Sequence, residues 1–344
     1  MTNLAHAEIT DERSNVDYWL GRIGEGDKIL YEPAQTKNFP ETPTVSELKT
    51  LIQKLHGKLN ATPELLANRN LENLSEVNVR YGVTVQRGNI RLLPQNLSGE
   101  LFDPLQSSAI DPAEAVLILH ESADGKFYFV QSKNHVGWLN KLIVAVTDKE
   151  TCQKYFAPKN FLVVLDNKKT VADQVFQMGA TIPLSENKAA ILPTRQGNNL
   201  NEILVEVEGA EGFANNFIPC TANNIVRQAF KFLGEGYGYG GLKEGVDSSA
   251  MIQSVYRSMD VDISKLPTFS TLKNLSDVEK LEEVRRAPTG AIIFLEGDSA
   301  LKLGQDAASN PIVIYADYLT RRVVVTEAKD FLDKMTEIVT FKET

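Results

Sequence analysis

The hydrophobic period of the chain changes along its length, and this restricts the folds open to it. Leu48, Leu51, Ile52, Leu55 and Leu59 recur at three- and four-residue spacing, which predicts an amphipathic helix over 45–59. Thr44 supplies its N-cap and Glu47 the acid of a capping box, with Pro40 and Pro43 breaking the chain just before. Pro63 opens a second short helical stretch. From about Tyr81 the period becomes that of strands: Val83, Val85, Ile90 and Leu92 are followed by apolar runs at 116–119 and 127–130, split by the turn pair Asp124-Gly125. Short strands at close spacing predict a small β-barrel, with Trp138 in its core, and strands over about 160–219 predict a second β-rich unit. At Thr221, a good N-cap, the helical period returns, and Gly234 stops it. A Gly/Tyr-rich segment, 234–241, precedes a helix beginning at Asp247, with Ile252, Val255, Tyr256 and Met259 on one face. The acid-rich stretch 277–283, with Arg285 and Arg286 near its end, predicts a further helix whose charges follow its dipole. Strands return at 291–295, 311–315 and 322–326.

Composition narrows the functions. With 344 residues the chain has room for two to four domains at ~100–200 residues each. Hydrophobic residues at 42% and charged residues at 24% allow packed cores and exclude wholesale disorder. A net charge of −9 argues against a general nucleic-acid binder, and no apolar run approaches the ~20 residues of a membrane span. Two cysteines, Cys152 and Cys220, exclude a disulfide framework and a cysteine-rich zinc module, leaving one disulfide or two thiols. The histidines are His6, His56, His120 and His135. His120 and His135 fall on different predicted strands without further ligands nearby, so packing or surface roles are expected and no metal or cofactor is implied. Ala5-His6-Ala7 looks like the small-x-small end of a secretory signal, without the charged and apolar regions that should precede it. A periplasmic or secreted protein with a trimmed signal is one reading, and a cytoplasmic one the other.

The most informative stretch lies between residues 224 and 270. It runs Gly234-Glu235-Gly236-Tyr237-Gly238-Tyr239-Gly240-Gly241, then Val246-Asp247-Ser248-Ser249-Ala250, then Leu266-Pro267-Thr268-Phe269-Ser270. This resembles the NlpC/p60 cell-wall cysteine peptidases, where an aromatic-Gly-Trp-Gly-Gly stretch precedes Asp-Cys-Ser-Gly and Leu-Pro-Arg-x-Ser follows. The rest of the chain resembles the multi-domain form of that family. Tyr18-Trp19-Leu20 and Asp27-Lys28-Ile29-Leu30 resemble its N-terminal clip. Asn89-Ile90-Arg91-Leu92-Leu93-Pro94, Leu119-His120-Glu121-Ser122-Ala123-Asp124-Gly125-Lys126 and Gly137-Trp138 resemble its first bacterial SH3-like domain. Pro183-Leu184 and Pro193-Thr194-Arg195 fit a second. The resemblance implies a papain-like α+β domain over 220–344, preceded by a helical clip (1–78) and two small SH3-like β-barrels (79–150 and 151–219). It also implies cleavage of the bond between γ-D-glutamate and a diamino acid in short wall peptides with a free N-terminus.

That chemistry needs a thiolate at a helix N-terminus and a histidine base oriented by a third polar group. This sequence departs from it at each position. Ser248 holds the nucleophile position, Asp298 of Gly297-Asp298-Ser299-Ala300-Leu301-Lys302-Leu303-Gly304 the base position, and Tyr315 the orienting position. Nothing after residue 135 is a histidine, and Cys220 lies before the Thr221 cap, away from the nucleophile helix. A serine needs a strong base, and a carboxylate is a poor one, so none of the three is expected to be catalytic. Lys302 is the remaining candidate base for Ser248. Tyr237, Tyr239, Asp247, Ser249 and Ser270 would line the retained groove, although the two tyrosines can equally pack the loop on its core. Asp247 with Asp298 can bind a cation or be solvated, and Arg91 can hold a family position or a structural ion pair. The expectation is an inactive relative that binds a wall peptide or a protein partner. The alternatives are an amidase using Ser248 and a scaffold acting through its barrels.

Overall fold

A computed structural model describes residues 8–32, 38–55, 57, 59, 61–96, 102–207 and 211–341. His6, His56 and the triplet Ala5-His6-Ala7 lie outside the described residues. The expected N-terminal clip is helical only in part, and it divides between two cores. Helix α1 (Val16–Leu20), capped by the Asn15 side chain, buries Trp19 in the C-terminal core. The Trp19 indole donates to the Arg13 carbonyl at 2.8 Å, so its polar edge is satisfied. Helix α2 (Val45–Leu55) begins at a reciprocal Thr44–Glu47 capping box and buries Leu48 and Ile52 against Phe129 and Trp138 of the first barrel. It stops at Leu55 rather than running to residue 59, because Gly57 turns the chain at φ +54°. Pro63 opens α3 (Pro63–Ala67).

A nine-stranded sheet carries the first barrel. Its hairpin Ala115–Glu121 with Phe127–Gln131 is turned by Gly125 at φ +69°, and Trp138 is fully buried. Helix α4 (Lys149–Phe156), capped by Asp148, opens the second β-rich unit. There Phe161–Val164 lies between Thr181–Pro183 and Phe213–Ala214, and Lys168–Val171 pairs with Gln174–Gln177. The hairpin Ala190–Gln196 with Asn199–Val205 joins the nine-stranded sheet where Asn199 meets Val146. The units are not independently packed: Val83, Ala113 and Ala115 of the first share a core with Cys152, Phe176 and Leu192 of the second.

The C-terminal part is a six-stranded antiparallel sheet. Its strand order is Thr268–Thr271, Met335–Val339, Ile292–Leu295, Asp298–Gln305, Pro311–Asp317, Arg322–Glu327. Strand alternation sends Leu301, Ile312, Ile314 and Ala316 to one face, against α5 (Ala222–Phe230) and α6 (Ser248–Arg257). Ala300, Val313 and Tyr315 go to the other, with Val284 of α7 (Asp277–Arg286) and Phe331. Cys152 and Cys220 are free thiols in separate cores, each pushed up to about 12 by burial.

Candidate functional site

Asp247 is the N-cap of α6. One carboxylate oxygen accepts from the Ala250 N–H at 2.8 Å, and the other accepts from the Gly240 N–H at 2.7 Å. The cap therefore ties the Gly/Tyr loop to the helix start. In that loop Gly240 and Gly241 have φ +57° and +79°, and a Cβ on Gly241 would sit 2.8 Å from the Ala109 Cβ of the first barrel. Glycine is required there by both conformation and contact.

Ser248 is the first residue of α6 and is 0% exposed. Its hydroxyl accepts from the Ala316 N–H at 3.0 Å and lies 3.4 Å from the Ala316 carbonyl. The Asp298 carboxyl lies near enough to this hydroxyl to be influenced by it. Asp298 opens its strand after Gly297 and accepts from the Ser299 N–H at 2.8 Å. Burial pushes this carboxyl up to about 6; the Ser299 N–H and the nearby Ser248 hydroxyl oppose the effect, and the charges of Asp247 and Asp317 add to it. Tyr315 lies on the sheet face away from α6, edge-on to Phe331 with ring centroids 4.8 Å apart. Burial raises the pKa of its hydroxyl, and the charges of Asp317 and Asp298 add to the effect. Ser248 and Asp298 are thus near enough to interact, whereas Tyr315 lies on the other face of the sheet, where Asp298 acts on it only through its charge.

The groove positions divide. Tyr237 is half-buried and edge-on to Tyr318 at 5.5 Å. Tyr239 packs on Phe102 of the first barrel at 4.7 Å. Phe102 and Tyr318 are 51% and 56% exposed, so each ring pair has one member at the surface. Ser249 is exposed, with its hydroxyl 3.3 Å from that of Ser299. Ser270 stays apart, on the outer strand opposite Ile338, with two strands between it and that of Asp298. Arg91 is structural: it is 2% exposed and bonded to Asp103 at 2.8 Å and to Gln106 at 3.1 Å. Gln106 in turn donates to the Gly240 carbonyl at 2.8 Å, fixing the first barrel against the Gly/Tyr loop.

Lys302 does not serve Ser248. Its ammonium donates to the Arg285 carbonyl at 2.9 Å and to that of Ala287 at the end of α7, and burial pushes it down to about 8. His120 lies 3.1 Å from the carbonyls of Arg69 and Asn70, and burial lowers its pKa. Burial and then Arg257 push His135 down to about 4. Among the described residues no three His, Cys, Asp or Glu side chains are grouped to hold a metal.

A model of an SH3 domain (SH3b1 type) matches residues 94–140. No curated protein matches the sequence. Among solved structures, an NlpC/P60 endopeptidase from Photobacterium damselae subsp. piscicida aligns over 98% of this chain and 88% of its own, at TM-score 0.61 and 14% identity. The chain has the NlpC/P60 endopeptidase fold. NlpC2 and NlpC1 of Trichomonas vaginalis align over 78% of it and over 99% and 94% of their own chains. They are 10% and 12% identical to it, with a TM-score of 0.33. Within this NlpC/P60 fold, sequence reasoning missed Phe102, Gln106, Asp317 and Tyr318. Asp317 was within reach, since it follows Tyr315 by two on one strand and so shares its face. The other three lie on a barrel strand or in loops and meet the site only through the fold.

Proposed function

We propose that the chain is a non-catalytic relative of the NlpC/P60 endopeptidases that binds a short cell-wall peptide through the groove between first barrel and C-terminal domain. The observation that carries this is the state of Ser248. Its hydroxyl is fully buried and accepts from the Ala316 N–H, and the base position holds the carboxyl of Asp298 in place of an imidazole. A hydroxyl so placed meets no substrate carbonyl and has no adequate base. The ring pairs Phe102 with Tyr239 and Tyr237 with Tyr318 would supply the aromatic walls of such a groove, and Asp247 and Ser249 its polar groups. The first barrel, tied to the Gly/Tyr loop by Gln106, would close one side and so favour short peptides with a free N-terminus. A wall-facing compartment, periplasmic or secreted, suits this role; no described helix is long and apolar enough to cross a membrane.

The test is incubation with muropeptides bearing a free N-terminal L-Ala, followed by calorimetric titration. No cleavage is expected, with saturable binding that weakens in Tyr239→Ala. Turnover that disappears in Ser248→Ala would overturn the inactive reading in favour of an amidase. No binding at millimolar peptide would overturn the groove reading and leave the barrels, as a scaffold for a protein partner.

A further inference from the structure

A cavity of about 520 Å³ lies at the far end of α6 from Ser248, where both β-rich units meet the C-terminal domain. Its size is that of a small-molecule pocket, and domain junctions are where such pockets concentrate. Tyr155, Phe156, Phe161 and Phe217 form its apolar walls, and Phe161 and Phe217 meet at 5.0 Å. The charged lining is three cations, Lys133, Lys159 and Arg257, against two acids, Glu114 and Asp260. Two of the cations are engaged. Arg257 bonds Asp111, Glu114 at 3.1 Å and the Met178 carbonyl at 3.0 Å. Lys133 bonds Asp260 at 2.5 Å, with its ammonium over the Phe217 ring at 5.8 Å. Lys159 forms no ion pair among the described residues. The cavity therefore carries one surplus positive charge within a protein of net charge −9.

We propose that this cavity is a second ligand site, taking a small organic carboxylate with an aromatic or branched apolar body. The carboxylate meets Lys159 and the remaining N–H donors of Lys133, while the body lies between Phe161, Phe217 and Tyr155. A surplus cation beside desolvating rings selects for an anion with an apolar body, because a cation of the same shape would face Lys159 unpaired. The site is separate from the peptide groove and does not depend on it.

The probes are N-acetyl-L-phenylalanine, an anion, and L-phenylalaninamide, a cation with the same ring, each titrated into the full chain by NMR and calorimetry. Saturable binding of N-acetyl-L-phenylalanine is expected, with clearly weaker binding of the amide. Lys159→Glu, at an exposed rim position, should weaken the anion by about tenfold. Ala157→Trp should block it by filling the mouth, and both variants should keep wild-type muropeptide binding. Absence of saturable anion binding, equal binding of the amide, or unchanged affinity in Lys159→Glu would each overturn the proposal.

Discussion

Asp298 shows how one side chain reports on its surroundings. Its folded pKa of about 6 lies above the ordinary 3.8, so the folded chain holds this proton more tightly than the unfolded one. Stability from this group is present at low pH and is lost as pH rises from about 4 through 6. Asp298→Asn should remove that slope. Denaturant unfolding should show variant and wild type nearly equal near pH 4, with the variant ahead by roughly 2 kcal/mol or less at pH 7. Ser248→Ala should cost about 1–2 kcal/mol, because the buried Ala316 N–H loses its acceptor. It should leave muropeptide turnover at its baseline, which parallel assays of both chains would check. The junction of Asp247 and Ser248 was legible in sequence, because a cap and its helix are neighbours in the chain. The retirement of Lys302 to the end of α7 was not, because its partners lie fifteen and seventeen residues away on another element.

At the scale of elements, local signals carried most of the structure and distant ones little. Thr44, Thr221 and Asp247 mark helix starts that the structure keeps, each side chain bonding a backbone N–H of the first turn. Helix α7 begins likewise at Ser276, in a capping box with Glu279, so Ser276→Ala should cost about 1 kcal/mol in thermal or denaturant unfolding. The end of α2 was overextended because apolar spacing continued past Gly57, and a left-handed glycine outweighs spacing. The Gly/Tyr loop shows the opposite limit. Its glycines were visible, but the reason for them is a surface some 130 residues earlier in the chain. Gly241→Ala combines a positive φ with a 2.8 Å approach to Ala109. It should cost about 2 kcal/mol and loosen the barrel wall, reducing muropeptide affinity while far-ultraviolet circular dichroism stays unchanged.

Across the whole molecule, Asp111 is the point at which three parts meet. It comes from the first barrel and bonds Arg87 at 2.5 Å, Arg257 of α6, and the Gln177 N–H of the second unit at 3.0 Å. Burial alone would raise its carboxyl, but Arg257 and Arg87 outweigh it and hold the pKa below the ordinary value. The stability it supplies is therefore present at neutral pH and is lost as pH falls through that depressed value. Asp111→Asn leaves two guanidinium groups short of a counter-charge, and about 3 kcal/mol should be lost. Calorimetry should then resolve more than one thermal transition where the wild type shows tighter coupling. None of these partners is near Asp111 in sequence, so no motif announced the junction. The two free thiols turn this architecture into something measurable. Cys152 is sealed in the core shared by the β-rich units and Cys220 in the C-terminal core, so each is shielded from alkylation until its own region opens. A maleimide reagent therefore serves as a pair of clocks on one molecule, timing the opening of the two halves separately without an engineered label.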